Sequence, residues 1–337
     1  MNSGPTVTVT APGRVNLIGE HTDTTDGLVM PMAIDLATTI TGTLGGAMVY
    51  LTSADEAEPA VVALDVTDPE SASPGWARYV AGVVAELRPA EGFTGQVTTT
   101  LPVGAGLSSS AALEVAVAVA LGFDGSSHEL ARLTQRAEQR ASGVPCGVMD
   151  QLASASGVAG HALLIDTHTL EVTPVRLPPD VEVRVIHSGQ SRELAGSAYG
   201  DRRREVEAAQ AILGTLRSIT DPAVVDRLDD PVLRRRARHV ITENARVRSF
   251  AAALAAGDVG AAGAAMVASH ASLRDDFEVS TEVLDALVDR LNATPGVHGA
   301  RLTGAGFGGC VVALTVPGTL DEGWLVHAAD GPRRTVG

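Results

Sequence analysis

The stretch GQVTTTLPVGAGLSSSAALEVAVAVALG, residues 95–122, constrains the fold more than any other. Residues 95–101 alternate in polarity and predict a strand; 111–121 are apolar almost all round and predict a buried helix ending at Gly122. A strand and a buried helix joined this closely must pack in adjacent layers of one core. The joint itself is unusual. Gly104 and Gly106 leave the backbone open to close approach, and Ser108, Ser109 and Ser110 follow where the helix begins. Helix starts carry unpaired N–H groups and the positive end of the dipole, so this joint suits an anion such as a phosphate. A serine N-cap after an ordinary turn is the plainer alternative, although one cap does not require three serines and two close glycines.

Hydrophobic residues make up 45% of the 337-residue chain but aromatic residues only 3%, so the core must be built from Ala, Val and Leu. The length suggests two domains. The net charge of −15 argues against nucleic-acid partners and against an anionic membrane surface. All 25 basic residues are arginine. Without lysine, a Walker A loop, a protein-kinase strand lysine and Schiff-base chemistry are all excluded. Two cysteines, Cys146 and Cys310, make no disulfide framework. No basic-then-apolar leader opens the sequence and no long apolar run occurs, so a cytoplasmic protein is expected.

Short β-rich runs at 6–10 and 38–43 alternate with helical segments at 76–87 and 128–141. After Pro178-Pro179 a second β-rich region opens at 181–186, followed by helices at 200–216, 231–255 and 280–292 and a closing strand at 311–316. The expected organisation is α+β in two domains, 1–178 and 179–337.

Three further clusters carry polar chemistry. In APGRVNLIGEHTDTTDG, residues 11–27, Glu20, His21 and Asp23 directly follow an apolar run. Such groups suit vicinal sugar hydroxyls; a solvated acidic loop is the plainer reading of the segment in isolation, and a lone histidine is a thin metal signal. In GVPCGVMDQ, residues 143–151, Asp150 stands near a helix start, either as a base toward a substrate hydroxyl or as a first-turn acid on the dipole. Glu138, on the preceding helix, would hold a cation or be a surface charge beside Arg136 or Arg140. TGAGFGG, residues 303–309, matches a dinucleotide fingerprint in form but is followed by a strand, which rejects that reading. It reads either as a glycine-rich hairpin turn or as backbone packed close to a substrate or to the first glycine loop.

Together, GRVNLIGEHTD at 13–23, PVGAGLSSSAALEVA at 102–116, CGVMDQ at 146–151, HVITENARV at 239–247, SHASLRDDFEVS at 269–280 and GARLTGAGFGGCVVAL at 299–314 resemble the GHMP family of small-molecule kinases, most closely its galactokinase branch. The resemblance implies an N-terminal ribosomal-protein-S5-like domain, a ferredoxin-like C-terminal domain and an active site between them. It implies Asp150 and Arg14 as catalytic residues at the attacked hydroxyl. Glu20, His21, Asp23, Gly147 and Tyr199 would hold the sugar. Gly104, Gly106, Ser108, Ser109 and Ser110 would wrap the ATP phosphates, with Ser110 and Glu138 on Mg2+. The expected activity is phosphorylation of galactose at its anomeric hydroxyl by a monomer or weak homodimer. The alternatives are a kinase for arabinose or N-acetylgalactosamine, or a non-catalytic sugar sensor. Two departures stand out: Thr24-Thr25 where galactokinases usually carry Tyr-Asn, and a partly matching segment at 187–198.

Overall fold

The computed structural model describes residues 4–102, 104–190 and 195–337, so the departure at 187–198 falls partly outside the described residues. Two strands dominate the N-terminal half. Strand β1 (Thr6–Ile18) reads TVTVT first, with Val7 and Val9 buried and the threonines turned outward, and is then buried on both faces to its end. Strand β2 (Leu28–Leu44) mirrors it: its first seven residues are buried throughout, and polarity returns only beyond Ile34. Alternation stops where a second domain covers the other face of the sheet. On the open face, threonine hydroxyls pair across the strands, Thr10 with Thr39 at 2.9 Å and Thr8 with Thr41 at 3.2 Å.

The chain continues through β3 (Met48–Ser53), β4 (Ala60–Ala63), α1 (Ala77–Leu87), β5 (Phe93–Thr99), α2 (Ser109–Ala120), α3 (Ser127–Ser142), α4 (Met149–Ala155), β6 (His161–Asp166) and β7 (Val172–Arg176). Helix α3 begins with a complete capping box, Ser126 with Glu129, and ends at Gly143 with φ +68°. After β8 (Glu182–His187) come α5 (Ala195–Leu213), α6 (Pro231–Ala255), α7 (Val259–Asp275), α8 (Glu282–Asn292), β9 (Val297–Thr303), β10 (Cys310–Thr315), β11 (Trp324–Val326) and β12 (Arg333–Val336).

Two sheets result. The first has the order β12-β1-β2-β5-β3-β4, with β6 on β2 and β7 on β6; the second is antiparallel, β11-β8-β10-β9. The last strand, β12, thus returns to the first sheet and pairs with β1. Strand β10 is buried on both faces, and its side chains alternate between two cores: Val312 and Leu314 face the interdomain core, Val311 and Ala313 the C-terminal one. The interdomain core also takes Val15, Leu17 and Ile18 of β1, Met30 and Met32 of β2, and Phe250 of α6. A shared core of this kind holds the cleft walls at fixed spacing.

The expected elements recur with shifted ends. The expected strand at 6–10 extends to Ile18, and the helix expected at 200–216 runs from Ala195 to Leu213, with Gly214 at φ +85° as its stop. Helix α7 is the main element without a sequence expectation. Among the described residues no helix is long and apolar enough to cross a membrane.

Candidate active site

The interdomain cleft, about 850 Å3 with its open mouth, is lined by residues from both halves of the chain. Its floor begins with β1. Gly13 is required there: a Cβ would sit 2.4 Å from Leu101 and 2.6 Å from the Leu107 carbonyl. The 101–108 loop therefore lies directly on β1, and Arg14 N donates to Leu107 O at 3.1 Å. That contact delivers the Arg14 side chain to the loop. Its Nη1 donates to Gly106 O at 2.7 Å, while Nε and Nη2 donate to the two oxygens of Asp150 at 2.8 Å each. This bidentate fork has the geometry only arginine supplies.

Ser108 completes the cluster. It is the residue before α2, in left-handed backbone with φ +58°, and its hydroxyl caps nothing. It turns to Asp150 Oδ2 at 2.5 Å instead. The first-turn amides of α2 are thus left without a side-chain acceptor, which favours an anion over the capping alternative. Gly104 and Gly106 both hold positive φ, +76° and +80°, as the bend requires. Gly104 is exposed at the outer end of the loop, and Ser109 lies half-buried in the first turn of α2, beside the cleft lining.

Ser110 Oγ donates to Glu138 Oε1 at 2.9 Å, and the Gln151 amide donates to the other Glu138 oxygen. Arg136 and Arg140 point elsewhere, to Glu86 on α1 at 2.7 and 3.1 Å. Residues 136 and 140 share one helix face and 138 the other, so the surface-charge alternative for Glu138 does not hold. Burial, then the Asp150 charge, push the Glu138 carboxyl up to about 7. Behind it on α2 lies Glu114, fully buried, with the Gln151 amide near its carboxyl oxygens as a polar partner. Burial and Glu138 raise its pKa well above the usual carboxylate range. Sequence reasoning missed Glu114, whose signal was a lone acid inside an otherwise apolar helix.

Opposite this acidic corner stands the 19–28 loop. Glu20 is almost fully buried and accepts from Asn16, from the Gly304 amide and, at 3.4 Å, from Thr303 Oγ1. The start of the 303–309 segment is therefore backbone packed against Glu20, at the edge of the cleft. His21, with φ +64°, lies against Phe277 at 4.6 Å between ring centroids and faces Tyr199 at 5.7 Å. Burial, reinforced by His239 and Arg301, lowers its pKa to about 3, so the ring is neutral, and its buried Nε2 has no hydrogen-bond partner. Asp23 keeps some surface open to the cleft yet sits deep among protein atoms. Burial, then Asp150 and Glu20, raise its pKa to about 7. Gly147 lies against it: a Cβ there would fall 1.7 Å from Asp23 Oδ2. Burial and Asp23 keep the Tyr199 phenol protonated as a donor.

Every residue expected to touch the sugar thus lines one cleft, as do Arg14, Asp150 and Glu138. The cleft also takes Cys146, Met149, Gln151, Gly304 and Ala305. Cys146 is no nucleophile: burial, then Glu138 and Asp150, push its thiol far up.

The arrangement has close counterparts. Residues 2–43 match the galactokinase galactose-binding signature, 78–158 the GHMP kinases N terminal domain and 250–322 the GHMP kinases C terminal model. A Roseiflexus galactokinase is 46% identical over 98% of this chain and 90% of its own length; the human galactokinase is 44% identical over 92% and 84%. The Lactococcus lactis galactokinase, solved with galactose, superposes with a TM-score of 0.92 at 30% identity, over 97% of this chain and 95% of that one. A mevalonate kinase shares the fold at 19% identity, with a TM-score of 0.68 over 93% of this chain and 92% of that one. With this cleft, this two-sheet architecture and these relatives, the chain belongs to the galactokinase family of GHMP kinases.

Proposed function

We propose that this cleft carries out the family's reaction: the protein is an enzyme that phosphorylates galactose with ATP, at the anomeric hydroxyl. The observation that carries the reading is the Arg14–Asp150–Ser108 cluster, tied to the phosphate loop on one side and open to the carboxylate-lined pocket on the other. Phosphoryl transfer asks mainly for alignment and charge stabilisation. The sugar oxygen bonds to the γ-phosphorus as the bond to the ADP oxygen breaks, and the hydroxyl proton leaves toward Asp150, which accepts its hydrogen bond. Arg14 stabilises charge on the transferring group while holding Asp150 in place. Glu20, His21, Asp23, Gly147 and Tyr199 bind and orient the sugar. Gly104, Gly106, Ser108, Ser109 and Ser110 present amides and hydroxyls to the ATP phosphates.

Ser110 and Glu138 are the residues to hold Mg2+. A hydroxyl and a carboxylate, both hard oxygen donors, backed by the buried Glu114 carboxylate, fit that ion. Mg2+ characteristically keeps few protein ligands and shares itself with phosphate, whose charge it offsets. We propose a monomer or weak homodimer, each chain built of two domains, 1–178 and 179–337, with β12 reaching back to the first.

A coupled ADP-release assay with Mg-ATP across galactose, arabinose and N-acetylgalactosamine tests the reading. Release should depend on galactose, and Asp150→Asn should abolish it with nucleotide affinity preserved. A stronger response to another sugar would reassign the substrate; full activity in Asp150→Asn would remove that residue from the mechanism. Identity with galactokinases over almost the whole chain favours galactose over the alternatives.

A further inference from the structure

The motif HVITENARV lies on α6, outside the cleft lining, yet three of its side chains grip the sugar-facing loop from behind. His239 Nε2 donates to the carbonyl of Glu20 at 3.1 Å; a carbonyl only accepts, so this nitrogen carries the proton. Glu243 Oε1 accepts from the amide of Gly19 at 3.0 Å, and Asn244 Oδ1 from the amide of Leu28 at 2.8 Å. The first two bonds hold the start of the 19–28 loop and the third holds its end. Spacings of four and five residues bring all three side chains to adjoining faces of one helix. Within the loop, Thr22 Oγ1 closes the same gap, donating to Leu28 O at 2.7 Å and Gly19 O at 3.0 Å.

Each gripping side chain is itself locked. His239 Nδ1 lies 3.0 Å from Ser272 Oγ, Glu243 accepts from Ser269 Oγ and Arg246 Nε at 2.6 Å each, and Asn244 Nδ2 donates to Val240 O at 2.8 Å. None is more than 1% exposed. Burial alone would raise the Glu243 pKa, but Arg246 first, with Arg301 and the Ser269 hydrogen bond, holds it at about 2, so it is an ionised carboxylate inside the protein. Buried polar networks stabilise little by themselves; fully satisfied, they specify one geometry.

We propose that His239, Glu243 and Asn244 are positioning residues that set the shape of the sugar-binding loop from the opposite domain, through its backbone, without touching the sugar. The proposal rests on the reading of residues 20–23 as sugar ligands. A template of this kind affects one substrate selectively: the loop carries the sugar contacts, whereas the phosphate loop is held separately by Arg14 and β1.

The full chain is assayed for KM of galactose and of ATP, alongside thermal melting, as wild type, Asn244→Ala, His239→Asn and His239→Gln. Glutamine can place an amide N–H near the Nε2 position; asparagine is too short to do so. Asn244→Ala and His239→Asn should raise the galactose KM about tenfold or more, a loss on the scale of one buried hydrogen bond. The ATP KM should stay within about twofold, and His239→Gln should fall near wild type. Equal behaviour of the two His239 variants, or a lowered melting point with both KM values unchanged, would overturn the proposal. Hydrogen exchange on the wild type supplies a test that needs no variant: the Gly19 and Leu28 amides should exchange only as slowly as the core of α6, and fast exchange at either would refute the grip. Exchange involves no substrate, so it separates this proposal from the functional reading, which fails if the wild type releases no ADP with galactose.

Discussion

Replacing Gly147 by alanine tests the site with a single methyl group. The residue stands in the turn before α4, and its φ lies outside the left-handed region, so alanine meets no backbone strain. The new Cβ would lie 1.7 Å from Asp23 Oδ2, 2.3 Å from its Cγ and 3.1 Å from its Cβ. The carboxylate must retreat by roughly 1.7 Å to restore ordinary van der Waals separation, and a hydrogen bond drawn out by that distance is no longer one. Loss of a charged hydrogen bond, or a misplacement of 1 Å at a reacting site, each costs about 10²-fold, close to 2.7 kcal/mol. The kcat/KM for galactose should therefore fall about 100-fold, with the ATP KM within about threefold. Folding should hardly change, because the atom displaced first is the free end of a side chain. Steady-state kinetics with each substrate varied in turn reads all of this. Adding Gly147→Ala to Asp23→Ala should then do nothing further, because the clashing group is gone; multiplicative losses in the double variant would place the cause elsewhere. A Gly147→Ala enzyme with galactose kinetics within threefold of wild type would refute the reasoning outright.

Arg14→Lys should cost kcat about 10²-fold, because an ammonium cannot span both Asp150 oxygens and Gly106 O together; unchanged kcat would show that a point charge suffices. The ligand-free protein should lose thermal stability as pH rises from about 6.5 to 8. Asp23 and Glu114 have folded pKa values above their unfolded ones, so the native state binds the extra protons and its advantage fades as they leave. His21 and His239, lowered to about 3 and 4, act in the opposite sense, but only below the unfolded histidine value of 6.5. Scanning calorimetry across this range should show the decline, and a melting point that climbs between pH 6.5 and 8 would contradict it. Glu114→Gln should flatten the same decline and raise the melting point at pH 8, since a neutral amide carries no buried charge; a lower melting point at pH 8 in this variant would mean that the ionised carboxylate is needed.

Much of the site was legible in the sequence, because its chemistry is concentrated in contiguous motifs. Arg14, Ser108 and Asp150 lie in three separate segments, and the family resemblance implied the meeting that the geometry displays. What stayed hidden has physical reasons. The partners of His239, Glu243 and Asn244 are main-chain atoms more than 200 residues away, and a backbone partner leaves no trace in residue identity. Helix α7, VGAAGAAMVASHASLRD, lacks an amphipathic stripe because it packs by closeness: a Cβ on its Gly263 would lie 2.0 Å from the His298 carbonyl of β9. Glu138 was ambiguous since arginines stand two residues to either side of it; only the helical rotation assigns them to the other face.

Charge balance ties these features together. Among the described residues lining the cleft, Glu20, Asp23, Glu138 and Asp150 are acidic and Arg14 alone is a permanent cation. In a chain without lysine, the positive charge within reach of an ATP tail is limited to that guanidinium and the amides that open α2. Burial raises the Asp23 and Glu138 carboxyls first, and the acidic crowding adds to it, through Asp150 and Glu20 at Asp23 and through Asp150 at Glu138. Arg14 is built into the floor on β1, beside a glycine that lets the 101–108 loop approach. One fixed guanidinium ties the 101–108 loop to Asp150, and the geometry of β1 makes both contacts available to a single side chain.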